Sequence, residues 1–495
     1  MEDILELLKS DPVKAIELLP NDVTLKATID LLRREYNDLD RTTRVNQVGM
    51  IQQDKVVGSE GNKKLQKAVK IPASFQNKIV TTSTAFEVGE PVTIVPQIFN
   101  SKEKDNELTK EISRLWKVNR IDALAKKATI LKKSELQCAV LCYIQDIDEQ
   151  SRFNKLLGLN TKKEIKVKLL ENKNGNMTPV FDSMGDMTAF SWDFTTQEGS
   201  KKVKNYWIYT ADRVYKMSDR LGTMSVISQD LHGFNKIPVI LFKQERPEWY
   251  VVQEMIDRIE VSMSKLGASN DYSGHPILML YGTVLGAPNK DEDGKALRFD
   301  MVEDEETGKV THGDAKFLTH DNAPEAVKLE LDRLEKYIYS LSSTPDLSLE
   351  NLKGIGDISG KAIRLMFMDA IIKSKMNEGE NRTNLERIIN VFISGIVTTT
   401  ATKLKSTANN TFFDIKFNSI LPSEINEDIQ TYVQAVGAGI MSVRQAVTTT
   451  GLAQDVEKEL NEIKKDQDEE AERTKKEEVK TTSKIEKVDA NTSQL

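Results

Sequence analysis

Apolar residues recur at three- and four-residue steps in two separate stretches. Trp249, Val252, Met255, Ile256, Ile259, Met263 and Leu266 form the first stripe, on a helix predicted to start at Pro247. Val327, Leu331, Leu334, Ile338 and Leu341 form the second; Asp321 or Asn322 offers an N-cap, and Pro324 sits where the first turn tolerates a missing N–H. About fifty residues without helical period separate the stripes. The pattern predicts an antiparallel helix pair carrying a small domain on its far end. Within that insert, Ile277 to Tyr281 reads as a strand and Lys316-Phe317-Leu318 as its partner.

From about Ile165 to Phe242 the period drops to two. Ile165 to Leu169, Thr188 to Phe194 and Asn205 to Tyr209 predict an antiparallel sheet. It closes with a turn at His232-Gly233 and a buried strand after Pro238. Before it, Met1 to about Met50 reads as charged helices interrupted by Pro12 and Pro20, with Asn21 as a cap. Gln52 to Lys70 reads as a loop. A helix from Ile71 to Val88 breaks at Gly89-Glu90-Pro91 and gives way to a short strand, and Leu108 to Gln145 reads as helical. Beyond the second stripe, Asp357 or Ser359 caps a helix predicted to run to Thr398, broken or kinked near Gly379. Phe412 to Ile420 is a strand, and Pro422-Ser423-Glu424 starts a last helical region that includes a mixed-charge helix over Glu457 to Lys476. The final fifteen or so residues read as disordered.

At 495 residues the chain exceeds one typical core, so two or more subdomains are expected. No apolar run reaches about eighteen residues, and Met1-Glu2-Asp3 is neither a signal nor a transit peptide. The expectation is a protein that is neither secreted by the usual route nor membrane-spanning. Its two cysteines, Cys138 and Cys142, fall i to i+4 in an apolar context read as helical, far from the four histidines. They are expected to be buried reduced thiols rather than metal ligands. With 69 basic against 76 acidic side chains the net charge is −7, which excludes a global positive field for clamping nucleic acid.

Catalytic signatures are missing. Gly354-Ile355-Gly356-Asp357-Ile358-Ser359-Gly360-Lys361-Ala362 approaches a phosphate-cradling loop but lacks the glycine spacing, puts Ala362 where a hydroxyl must reach magnesium, and follows a helix rather than a strand. His232, His275, His312 and His320 show no metal-ligand spacing. The sequence therefore predicts no enzyme, no cofactor and no metal.

The order of segments resembles that of the portal proteins of tailed bacteriophages, in the portal family of long-tailed phages of Gram-positive hosts. Asn77-Lys78-Ile79-Val80 followed by Gly89-Glu90-Pro91-Val92 is similar to the family's N-x-I-V … G-x-P-V segment. Leu115 to Asp122 resembles its helix preceding the central sheet, and His232-Gly233-Phe234-Asn235-Lys236-Ile237-Pro238-Val239 its H-G-F-G-x-I-P-V strand. Thr344-Pro345-Asp346-Leu347-Ser348 with Ser359-Gly360-Lys361-Ala362-Ile363 resembles its P-D … S-G-x-A-L/I loop and helix start. These matches run co-linearly over roughly Phe75 to Phe392, leaving both termini uncovered.

The resemblance implies an α+β, mainly helical portal fold in a ring of identical subunits, usually twelve. An N-terminal arm and wing of antiparallel sheet plus helices would span 1–247. A two-helix stem at 248–271 and 323–346 would flank a small α/β clip at 272–322. A tunnel loop would follow at 347–358, then a long wing helix and strand at 359–421, a helical crown at 422–480 and a disordered tail at 481–495. Such a ring would sit at one capsid vertex of the virion, assembled in the host cytoplasm. It would pass double-stranded DNA during genome packaging and ejection, and bind a terminase motor, head–tail adaptors, capsid and scaffolding proteins, but no membrane. Twelve copies would carry on the order of −84 charges, so attraction for DNA must come from local rings of basic residues. Lys353 in the loop and Lys265, Lys328 and Lys336 on the stem are the candidates, with solvated lysines as the alternative. Gly354 and Gly356 would make the loop a mobile constriction, with Leu349, Leu352 and Ile355 its apolar tip or simply packed on the stem. Asp291, Asp293, Glu303, Asp304, Glu305 and Glu306 form an acidic clip cluster, read either as motor and adaptor docking surface or as a solvated turn. Two further readings stay open: a pair of helices inside an ordinary monomer, and a ring or adaptor of a tail or secretion machine that conducts no DNA.

Overall fold

The first long helix begins where Asp22 accepts a hydrogen bond from the Leu25 amide at 2.8 Å, satisfying a donor the helix leaves unpaired. The computed structural model describes residues 4–37, 54–57, 63–98, 107–147, 155, 162–273, 277–281, 284–286, 298–299, 301–303, 310–312, 314–318, 324–346, 364–418, 420, 425–450, 456 and 459–469. They fall into two units, Met1–Lys353 with Met366–Ile420, and Gly354–Leu365 with Leu421–Leu495.

The first unit opens with α1 (Ile4–Ser10) and α2 (Val23–Tyr36). Next come a two-stranded hairpin, β1 (Lys55–Val57) with β2 (Lys64–Gln66), and α3 (Phe75–Val88), β3 (Thr93–Ile98), α4 (Glu107–Val118) and α5 (Ile121–Glu135). The stretch read as a loop thus contains a strand pair, three residues a side, too short for a period to show. Between α4 and α5 the chain turns at Arg120, whose φ is 52°. The Asn119 side chain pins this break to the sheet, donating to the Leu115 and Ile165 carbonyls and accepting from the Val167 amide at 3.1 Å.

The sheets follow: β4 (Gln137–Asp146), β5 (Lys163–Leu170), β6 (Asn176–Phe181), β7 (Met187–Glu198), β8 (Lys201–Tyr209), β9 (Arg213–Ser218), β10 (Ser225–Leu231) and β11 (Val239–Lys243). They form an antiparallel three-stranded sheet, β11-β4-β5, and an antiparallel five-stranded sheet, β10-β9-β8-β7-β6. Cys138 and Cys142 therefore lie on a strand, correcting the helical reading. With both faces of β4 buried the polar alternation disappears, and such a run looks the same as a buried helix. Both thiols are buried and free, and burial pushes their pKa up, which keeps them protonated and unreactive.

The rest of this unit is α6 (Gln253–Ser273), the paired strands β12 (Ile277–Tyr281), β13 (Val284–Gly286), β14 (Arg298–Phe299), β15 (Met301–Glu303), β16 (Val310–His312) and β17 (Asp314–Leu318), then α7 (Pro324–Ser342), α8 (Met368–Gly395) and β18 (Thr411–Lys416). A turn at Pro247 and a 3-10 turn at Tyr250–Val252 precede α6. Gly379 does not break α8. It lies on an exposed face, where glycine costs a helix about 1 kcal/mol, and Glu378 bonds both Lys375 and Arg382 across it. The helix start at Asp357 or Ser359 lies outside the described residues.

Among the described residues, four apolar cores hold the unit. The largest packs α4, α5 and α8 on one face of the three-stranded sheet, centred on Ile112, Phe234, Ile388 and Phe392. The second fills the space between the two sheets with Leu141, Leu170, Phe190 and Trp192. The third, around Trp249, joins α2, α3, α6 and α7. In the fourth, α1 packs through Leu8 on the outer face of the five-stranded sheet. The second unit contains α9 (Ile425–Gly437) and α10 (Val443–Thr450), the latter started by the Ser442 hydroxyl accepting from the Gln445 amide, and a further described helical stretch at 459–469. The architecture is α+β, as expected.

Candidate functional site

α6 and α7 are the antiparallel pair predicted from the two stripes, and three contacts fix their register. At one end Lys373 of α8 bonds the Glu248 carboxylate at 2.7 Å, just before α6, and the Ser342 carbonyl at 2.9 Å, at the end of α7. Further along, Arg258 and Glu330 pair across the helices at 2.7 Å. In the insert β12 pairs with β17, Ile277 opposite Leu318 and Tyr281 opposite Asp314. The helices are thus held in register at 248/342 and 258/330, and the terminal strands of the insert at 277/318 and 281/314. With 21 residues in α6 the rod is roughly 30 Å long.

The α6 stripe is filled from within the chain. Trp249, Val252, Ile256 and Ile259 are buried against Ile79 and Val80 of α3, Leu136, and Ile338 of α7. Met255, Met263 and Leu266 of the same stripe stay half-buried. A strap across α6 completes the enclosure: the Ile71 amide donates to Ser264 Oγ and the Ala73 amide to Glu260 Oε1, each at 2.9 Å. Gly267 permits the approach, since a Cβ there would lie 3.0 Å from Val69 Cγ1. The outer side of α7 stays open, with Leu329, Tyr337 and Leu341 exposed.

Beneath the hairpin lies a buried charge cluster that sequence reasoning missed. Lys133 of α5 is fully buried and pairs with Glu87 of α3 at 2.8 Å and Glu248 at 3.1 Å. Ser83 donates to Glu248 at 2.8 Å, and Asn377 and Asn381 of α8 donate to Glu87. Burial pushes the Glu248 carboxyl up, but Lys133 and Lys373 outweigh it and hold the group at about 2. Above the cluster, Trp249 donates its indole N–H to Glu35 at 3.3 Å and stacks on Tyr36. The only sequence signal for this joint is that Glu248 immediately precedes Trp249, the first residue of the stripe. The chain leaves α7 through Ser343, whose φ of 55° is the left-handed geometry that stops a helix.

Of the predicted site residues, Lys265, Lys328 and Lys336 are exposed on the hairpin and make no ion pair among the described residues. The last two, eight residues apart on one helix, point about 80° from each other. Glu303 ends β15, where it pairs with Val310. Leu349, Leu352, Lys353, Gly354, Ile355 and Gly356 of the predicted loop lie outside the described residues, as do Asp291, Asp293, Asp304, Glu305 and Glu306. The described residues of the insert are strands. Among the described residues no helix is long and apolar enough to cross a membrane, and no group of three His, Cys, Asp or Glu could hold a metal ion.

A family model described as "Phage portal protein, SPP1 Gp6-like" matches residues 25–473. No curated protein matches the chain. Among solved structures, "Neck of empty GTA particle computed with C6 symmetry" is 11% identical, with a TM-score of 0.40, covering 77% of this chain and 89% of that one. "Neck of native GTA particle computed with C12 symmetry" is likewise 11% identical, with a TM-score of 0.35, covering 77% and 91%.

Proposed function

This chain belongs to the phage portal protein family, and from that premise we propose that it assembles into a ring at one capsid vertex. The ring is the channel for DNA packaging and ejection and the docking site for a terminase motor and then for head–tail adaptors. The observation that carries this reading is the hairpin: a rigid two-helix rod, gripped at its base by buried charge and core, with one side of α7 and three unpaired lysines left open. In this assignment 248–271 and 323–346 are stem, 272–322 the clip, 347–358 the tunnel loop, and 422–480 the crown. Capsid and scaffolding proteins are further partners of the ring.

The physics of sliding supports a passive gate rather than a catalyst. A channel that gripped phosphates tightly would release them slowly and in a salt-dependent way. Three isolated lysines per subunit on a protein of net charge −7 give weak, repeated attraction instead. Electron microscopy of the purified full chain tests the reading. A ring with a central opening wide enough for duplex DNA, roughly 20 Å on the scale of the grooves and helix, is expected. A monomer at assembly concentrations, or a closed disc, overturns it.

A further inference from the structure

The core between the two sheets does not fill the space to its edge. It opens into a cleft of about 830 Å³ that shares no lining residue with the hairpin. One wall is aromatic: Trp192 stacks on Phe194, whose ring meets Trp207 edge-on at 5.2 Å between centroids. The other wall comes from β4 and β5. Because side chains alternate along a strand, Tyr143 and Lys168 project on the same face as the buried Leu141 and Leu170, and Lys168 lies opposite Leu141 in register. At the floor Gly233, φ +79°, lets the chain pass where a Cβ would lie 2.7 Å from Thr399 Cγ2.

Among the charged groups lining this cleft, Lys163, Lys168 and Lys216 outnumber Asp146 and Asp230. His232 contributes no charge: its Nδ1 accepts from the Phe234 amide, so its proton sits on Nε2 and is donated to the Thr210 carbonyl at 3.0 Å. Lys216 lies over the Trp207 ring and is paired with Asp230 at 3.2 Å. Lys168 and Lys163, both exposed and both lining the cleft, have no ion pair among the described residues. A half-buried aromatic wall facing unpaired ammonium groups on an otherwise acidic chain is complementary to a ligand that is apolar and anionic at once. A nucleic-acid strand fits less well, since it needs a row of cations along its phosphates, and Asp146 and Asp230 interrupt that row.

We propose that the cleft between the two sheets docks an acidic peptide segment of a partner protein, with an aromatic or aliphatic side chain entering against Trp192, Phe194 and Trp207 and a neighbouring carboxylate meeting Lys168. This goes beyond the channel reading and does not depend on ring formation.

The test uses the full chain and two fluorescein-labelled hexapeptides, Glu-Phe-Glu-Leu-Phe-Glu and Lys-Phe-Lys-Leu-Phe-Lys, followed by anisotropy at low salt. The acidic tracer is expected to bind at least tenfold more tightly than the basic one. Lys168→Glu should weaken it tenfold or more, and Lys168→Arg should leave it within about twofold. Lys168 is exposed, so circular dichroism of these variants should match the parent; Trp207→Phe, which keeps a ring in the wall, serves as a second probe and should lower affinity severalfold. Equal affinity for the two tracers, acidic binding indifferent to Lys168→Glu, no binding of either, or displacement of the acidic tracer by an oligothymidine each overturns the proposal.

Discussion

The two ends of the hairpin solve the same problem with opposite means. At the base α6 meets α3 and α5 through fully buried charges, Lys133 between Glu87 and Glu248, with Trp249 above them. Along the shaft, the α6–α7 ion pair is Arg258–Glu330, whose side chains are 54% and 38% exposed. Charges removed from water are expensive to leave unpaired, whereas exposed pairs are screened and contribute little. The base is therefore a joint that tolerates little change, and the shaft a surface free to be retuned.

The largest effect should come from Lys133→Met, which leaves Glu87 without its cation and Glu248 with Lys373 alone. Loss of a buried partner costs about 3–5 kcal/mol, to be read by urea unfolding followed by circular dichroism. Acid should act at the same joint. The Glu248 carboxyl is held at about 2 against an ordinary 4.5, so its contribution is complete above pH 4.5 and is lost as the pH falls through about 2. That shift corresponds to roughly 3 kcal/mol. Glu111 and Glu135, whose carboxyls burial pushes up, work in the opposite direction, so the effect is best followed by hydrogen exchange at Trp249 and Val252 rather than by total stability. Arg258→Ala should cost at most about 1 kcal/mol and less in high salt. Lys265, Lys328 and Lys336 changed together to Glu should shift stability by less than about 0.5 kcal/mol while slowing DNA passage at low salt. If that triple variant unfolds like Lys133→Met, the contrast between base and shaft is wrong.

What the sequence made legible followed the same divide. The hairpin, its insert and the pairing of Ile277–Tyr281 with Lys316-Phe317-Leu318 emerged because half-buried elements keep their period. Where both faces are buried, as on β4, the period vanishes, and Cys138 to Ile144 passed for helix. Lys133 escaped notice because lysine is almost never fully buried unless paired, and its partners Glu87 and Glu248 lie far away along the chain. Lys265, Lys328 and Lys336 lie exposed, which is what a lysine in a helical pattern ordinarily means. Local propensity alone predicts a break at Gly379, because it takes no account of the Glu378 bonds that bridge it. Nothing in the spacing of Trp192, Phe194, Trp207 and Lys168 foretold the cleft, since it arises only where two sheets diverge.

The matched register of the two legs carries an evolutionary constraint. One residue inserted in α6 alone would turn everything beyond it by about 100° and break step with α7. Only paired insertions close to whole turns, about seven residues in each leg, keep the stripes facing one another, and they push the terminal strands outward by about 10 Å. The reach of this projection is thus adjustable only in paired increments, and relatives that differ in reach should carry length changes on both sides of the insert.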